Sequence, residues 1–185
     1  MCHGFIVERH GIDLAVLAIR QLCAAIPHVE LRLYGGRTPF VDKVLALARQ
    51  EGVANRVRYL GGMSIEKIVA AIDEADLGII PNRRSIFTEL NTPTRIFEYL
   101  SRGVPVIAPR APGIQDYFAE QDMLYFELGD GDDLVRQIQY VFDHPREVAD
   151  IVQRGQVIYR NHQWHEERQR LVDLVGSLVA PSAPR

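Results

Sequence analysis

Thr94-Arg95-Ile96-Phe97-Glu98-Tyr99-Leu100-Ser101-Arg102-Gly103-Val104-Pro105-Val106-Ile107-Ala108 decides the fold. Residues 93–102 read as a helix: Pro93 lacks an N–H and suits a first turn, and Gly103 suits the position just past a helix end. Val104 to Ala108 reads as the strand that follows. Upstream, Leu77-Gly78-Ile79-Ile80-Pro81 is a nearly all-apolar run, as expected of a strand covered on both faces. A polar loop from Asn82 to Asn91 links that strand to the helix.

The same alternation extends in both directions. Val29 to Tyr34 and Arg56 to Leu60 read as strands, closed by Gly35-Gly36 and Gly61-Gly62. Apolar residues at Ile12, Val16, Ile19, Cys23 and Ile26 have helical spacing. Thr38 and Pro39 open a further helix that ends near Gly52, and Ser64 can cap another that runs to about Glu74. Met1 to Val7 resembles the end of a strand whose beginning is missing. Leu124-Tyr125-Phe126 is the last strand, and helices follow over 131–142, 145–160 and 162–178. Alternating strands and helices imply an α/β domain: a doubly wound, Rossmann-like parallel sheet of about six strands, helices on both faces, then C-terminal helices. The domain is expected over residues 1–178, and residues 179–185 as a disordered tail.

Bulk properties narrow the function. The 185 residues carry a formal net charge of -3, so no basic field favours nucleic acid. No apolar run is long enough to span a bilayer, and no basic-then-apolar leader opens the chain. Cys2 and Cys23 form no Cys-x-x-Cys pair and read as reduced thiols, Cys23 as a small core residue. These features fit a cytoplasmic setting.

In such a sheet, ligands bind beyond the carboxyl ends of the strands. His3-Gly4, Gly35-Gly36 and Gly61-Gly62 mark three of those ends, where glycine allows a sharp turn and close ligand approach. Neither the dinucleotide fingerprint nor the Walker loop is present, which disfavours a dehydrogenase or P-loop ATPase. Asn91 to Leu100 is the best alternative phosphate cradle. Backbone N–H groups of Thr92 and Thr94 would face an anion, Arg95 adds a positive charge, and the Glu98 carboxylate can accept two hydrogen bonds from a ribose diol. The competing reading is a capped surface helix with Arg95 and Glu98 as a solvated pair.

The segment Thr94 to Ala108 resembles the signature of glycosyltransferase family 4. Arg9-His10-Gly11-Ile12-Asp13-Leu14-Ala15 resembles that family's first loop and helix in the same domain, and Val57-Arg58-Tyr59-Leu60-Gly61 its third strand. The resemblance runs over about residues 3–178. It implies the carboxyl-terminal, donor-binding domain of a GT-B enzyme. Such enzymes have two Rossmann-like domains with the active site between them, need no metal, and transfer sugar from a nucleotide-diphosphate sugar with retention. The amino-terminal acceptor domain would be absent here, so the isolated chain is expected to be inactive. Membrane contact, if any, would come through that missing domain at the inner face, for a lipid-linked or polysaccharide acceptor.

The resemblance also assigns roles. Glu98 would hold the donor ribose, Arg9, His10 and Arg95 would lie toward the diphosphate, and Gly4, Gly35, Gly36, Gly61, Met63 and Thr94 would line the nucleotide pocket. The family places another glutamate with seven residues between it and Glu98. That position is Leu90, and Glu89 stands one residue earlier, so an insertion in the loop would bring Glu89 to the sugar. The family's usual basic residue after the first glycine is Phe5, and its usual lysine is His10. His162-Gln163-Trp164-His165 lacks the His-Glu-x-x-His spacing, so no metal site is expected there; Asn161 starts the last helix, and either Trp164 packs against a neighbouring surface or, if the helix crosses back toward an amino-terminal domain as the resemblance implies, Trp164 and Leu171 are exposed. Two alternatives remain: an inactive nucleotide-binding or protein-interaction module of the same fold, and a nucleotide-sugar epimerase.

Overall fold

The structure, a computed structural model, describes residues 1–179. Six parallel strands form its centre: β1 (Cys2–His3), β2 (Leu31–Tyr34), β3 (Val57–Gly61), β4 (Gly78–Ile79), β5 (Val106–Arg110) and β6 (Leu124–Glu127). They fall into two three-stranded sheets, β1-β2-β3 and β4-β5-β6. Met1 joins the two. Its amino group donates to the Leu77 carbonyl at 2.7 Å, and its carbonyl accepts from the Ile79 N–H at 3.0 Å. These two bonds continue a parallel ladder, so the strands run β3-β2-β1-β4-β5-β6, a doubly wound order that reverses at β1 and β4.

Strand side chains alternate between two apolar layers. On one face, Leu31, Leu33, Ile79, Ile107, Leu124 and Phe126 pack with helices α1 (Ile12–Leu22), α2 (Pro39–Gln50), α7 (Gly131–Asp143) and α8 (Pro145–Asn161). On the other, Tyr34, Val106, Ala108 and Tyr125 pack with α3 (Ile65–Asp73) and α5 (Arg95–Ser101). Both faces of the sheet are therefore covered, which explains the unbroken apolar runs of β4 and β5.

Several local expectations change. The first helix stops at Leu22, although Ile26 stays buried, and Cys23 is only partly buried against the core. Cys2 is the core thiol, and burial pushes its pKa up to about 11. The loop before the deciding segment holds a short helix, α4 (Ile86–Leu90), fixed by a capping box between Ser85 and Thr88. A second short helix, α6 (Pro112–Gln115), follows β5. Thr38 and Ser64 stand at helix starts without a side-chain cap bond, and Thr38 Oγ1 donates instead to the Ile6 carbonyl at 2.6 Å. Asp130, unforeseen, caps α7 through two backbone N–H groups.

The last helix, α9, begins at Trp164 rather than at Asn161, which still belongs to α8. It buries no residue. Trp164 is 73% exposed, and Leu171, Val172, Leu174, Val175 and Leu178 are exposed with it, the second of the two arrangements the sequence offers for this helix. Val179 ends α9, and the remainder of the expected disordered tail lies outside the described residues. Among the described residues, no helix is long and apolar enough to cross a membrane.

Candidate functional site

A cleft of about 740 Å³ opens at the carboxyl ends of β1, β2 and β3 and against α5. Close backbone approach shapes its floor. Gly4 has φ +107°, and a Cβ there would meet the Arg95 side chain at 3.4 Å. A Cβ on Gly35 would lie 2.0 Å from the Gly4 carbonyl oxygen, so glycine alone lets these two strand ends meet. The Gly4 N–H donates to the Tyr34 carbonyl at 2.9 Å, and the Gly35 N–H donates to the Gly61 carbonyl at 2.8 Å.

The two sides of the cleft differ in chemistry. Met63, Ile65, Ile68, Val69 and Ile72 form an apolar wall after β3, with Ile65 79% exposed. His3, His10, Thr94, Arg95, Glu98 and Ser101 form a polar one. Such a cleft can take a ligand with a flat apolar group at one end and an anion at the other. A second hollow of about 920 Å³ lies around Met1, Val29, Asp76 and Pro105, at the amino ends of the strands, away from where ligands bind in this architecture.

Each polar group is held by the fold. Arg95 Nη1 donates to the His3 carbonyl at 2.8 Å. The Glu98 carboxylate sits 2.7 Å from His3 Nε2, and its side chain is 46% exposed. That hydrogen bond, helped by the charge of Arg95, keeps the Glu98 carboxyl below its ordinary range against the opposing effect of burial. His10 is held by a bond between its Nδ1 and the Phe5 carbonyl. Burial first, then the charge of Arg95, lowers its pKa, so the imidazole is neutral with Nδ1 as its donor.

Of the residues singled out from sequence, Gly4, His10, Gly35, Gly36, Met63, Thr94, Arg95 and Glu98 line this cleft together. Three stand apart from its lining. Gly61 lies behind it, giving its carbonyl to Gly35. Arg9 stacks over the Phe87 ring at 5.1 Å. Glu89 lies on α4 and pairs with Arg84 at 2.9 Å. Thr92 turns away as well, donating through its hydroxyl to the Gly113 carbonyl. Sequence reasoning missed His3 as a side chain, having read only its neighbour Gly4. The signal available was a polar residue closing an apolar strand. Among the described residues, no group of three His, Cys, Asp or Glu side chains is gathered so as to hold a metal ion.

Residues 9–175 match a family model described as glycosyl transferase-like. The chain is 26% identical over 185 residues to a GDP-mannose-dependent alpha-(1-6)-phosphatidylinositol monomannoside mannosyltransferase of Mycolicibacterium smegmatis. That alignment covers 95% of the chain and 47% of the relative. HepE of Anabaena, solved with UDP and glucose, superposes with a TM-score of 0.82 at 20% identity, over 95% of this chain and 47% of HepE. The C-terminal domain of a glycosyl transferase group 1 family protein, LpcC of Francisella tularensis, superposes with a TM-score of 0.72 at 14% identity, over 88% of this chain and 83% of that domain. The chain thus spans about half the length of the curated relative, and its fold is that of a single GT-B glycosyltransferase domain. By sequence and by fold, the chain belongs to the glycosyl transferase-like family.

Proposed function

We propose that this cleft binds a nucleotide-diphosphate sugar and that the chain is the donor-binding half of a retaining glycosyltransferase, completed by an amino-terminal acceptor domain. The observation that carries the reading is the cleft itself, with an apolar wall for a base facing Glu98, Arg95 and His10 on the polar side. Glu98 accepts from the ribose hydroxyls, and Arg95 and His10 meet the diphosphate. In the completed enzyme, the bond from the anomeric carbon to the diphosphate oxygen breaks and its electron pair leaves with the diphosphate. The acceptor oxygen bonds to the same face of the sugar and passes its proton to the departing diphosphate oxygen. Positive groups rather than a metal offset the departing charge. The exposed apolar row of α9 supports a docking partner, since a solvated helix gains nothing from so many exposed large side chains. Glu89 remains a proposed sugar contact, reached through movement of α4. We place the enzyme in the cytoplasm, where an amino-terminal acceptor domain can meet the inner membrane face. A nucleotide-binding module without transfer is the second reading, favoured by the position of Glu89 outside the cleft lining.

Calorimetric titration of the purified chain with UDP, GDP and ADP, without added metal, tests the donor reading. Selective micromolar binding of one nucleotide is expected, and no binding by a folded chain would remove the donor pocket. The titration also has a pH signature. His10 is neutral in the free chain because its pKa is lowered. An arriving anion favours the imidazolium, so His10 Nε2 takes up a proton and becomes a donor to phosphate. Affinity is therefore expected to rise as the pH falls from about 7.5 toward 6, with uptake of up to about one proton. Titration in buffers of different ionisation enthalpy counts that proton. Uptake unchanged in His10→Gln would place His10 away from the phosphates.

A further inference from the structure

We propose that His3 is a positioning residue for Glu98, holding its carboxylate in the orientation that receives a ribose diol. The inference rests on the donor-site reading above and names the part of the chain that prepares the site.

His3 closes β1 and Glu98 lies in the first turn of α5, so only the fold brings them together. The imidazole is buried to 6% exposure, whereas the carboxylate reaches the cleft. An ionised carboxylate can only accept, so His3 Nε2 carries a proton and donates across the 2.7 Å contact. Its other nitrogen, Nδ1, meets the Tyr99 hydroxyl at 2.9 Å, and that hydroxyl lies 3.1 Å from the Met1 carbonyl oxygen. Both imidazole nitrogens are therefore engaged, and the ring cannot flip without losing both contacts.

The anchor behind it is rigid. Tyr99 is fully buried, its ring set edge-on to the imidazole with centroids 5.0 Å apart. That ring fills the space over Gly78, where a Cβ would come within 2.6 Å of three ring carbons. Arg95 fixes the His3 backbone through the His3 carbonyl. A chain of contacts thus runs from the centre of the sheet, through Tyr99 and His3, to one carboxylate oxygen at the cleft.

Neighbouring charged groups leave this task to His3. Arg102, just past the end of α5 and also lining the cleft, is bound bidentately by Asp73 at 2.6 and 2.8 Å. His10 is tied to the Phe5 carbonyl. A half-exposed glutamate otherwise samples many rotamers, and freezing them on binding carries an entropic cost. Holding Glu98 in advance removes that cost.

The test compares the parent with His3→Leu and His3→Gln. Each is titrated with UDP, GDP and ADP and with the 2′,3′-dideoxy forms of the nucleotide that binds. His3→Leu is expected to weaken binding of the ribonucleotide about tenfold. Affinity for the dideoxy form, which has no diol, should stay unchanged. His3→Gln, whose amide can donate from nearly the place of Nε2, should restore most of the difference. Glu98 in His3→Leu should also protonate at higher pH, so its ribonucleotide affinity should begin to fall at a higher pH than the parent's on acidification. Equal weakening of both nucleotide forms would reduce His3 to a fold residue, and an unchanged ribonucleotide affinity would remove the role altogether. If the folded parent bound no nucleotide, the donor reading itself would fail and carry this inference with it.

Discussion

Replacing Gly35 with alanine is expected to destabilise the chain by about 3 kcal/mol, whereas the same change at Gly36 should move stability by less than about 0.5 kcal/mol. The two glycines are adjacent and read identically in the sequence. Their surroundings differ. A Cβ on Gly35 would stand 2.0 Å from the Gly4 carbonyl oxygen and 3.1 Å from Ile6 Cγ1, and one on Gly36 would meet nothing within 4 Å. Carbon and oxygen in contact prefer about 3.3 Å or more, so β1 and β2 would have to part by about 1 Å at their carboxyl ends. The oxygen belongs to backbone and has no rotamer in which to hide. Its own residue is tied to β2 by the bond from the Gly4 N–H to Tyr34. For a chain of this length, about 3 kcal/mol corresponds to a fall in Tm of roughly 6–12 °C. Urea and thermal unfolding of both variants measure it. A Gly35→Ala protein as stable as the parent would mean that the floor of the cleft is more open than described. Gly36→Ala should alter ligand affinity instead, because its added methyl faces the cleft.

The twin glycines also show where sequence reading reaches its limit. Alternating apolar runs and glycine turns are enough to find the strands, their parallel order and the edge at which the cleft opens, because burial on both faces leaves a continuous apolar signature. Adjacent glycines carry no mark of which one lies against a neighbouring backbone. The short helix α4 was hidden for a similar reason. Ile86, Phe87 and Leu90 are exposed and the buried residue, Thr88, is polar, so its five residues show no apolar buried face, and its capping box uses threonine where glutamate or glutamine is the usual signal. Spacing from Glu98 is the sequence signal at Glu89, and that helix carries it toward Arg84. His3 escaped because its partners, Glu98 and Tyr99, are 95 and 96 residues away in sequence. Glu98 was legible because it sits in a segment whose wording is specific. The family resemblance and the residue chemistry both pointed to it, and the fold places it at the cleft beside Arg95.

Substituting Glu98 with alanine is expected to weaken nucleoside-diphosphate binding about 100-fold while leaving the fold intact. Two hydrogen bonds from a ribose diol to a carboxylate are charge-assisted, and losing them together is worth about 2.7 kcal/mol, which corresponds to that factor. Stability should change far less. The Glu98 side chain is 46% exposed, so water can reach the proton that His3 Nε2 would no longer donate to it, and the apolar contacts beneath α5 come from Ile96, Tyr99 and Leu100 rather than from Glu98. Calorimetry with the selected nucleotide, beside a thermal unfolding curve, separates the two effects. Glu89→Ala provides the contrast: its carboxylate pairs with Arg84 outside the cleft lining, so it should bind the nucleotide as the parent does. Equal affinity of Glu98→Ala and the parent would take Glu98 out of the site and return the polar wall to a surface helix with a solvated Arg95. Loss of binding in both variants would instead show that α4 closes over the nucleotide, bringing Glu89 into the donor site even without the sugar. A loss confined to Glu98→Ala would leave the nucleotide to the cleft between β1 and α5, and any action of Glu89 to the sugar alone.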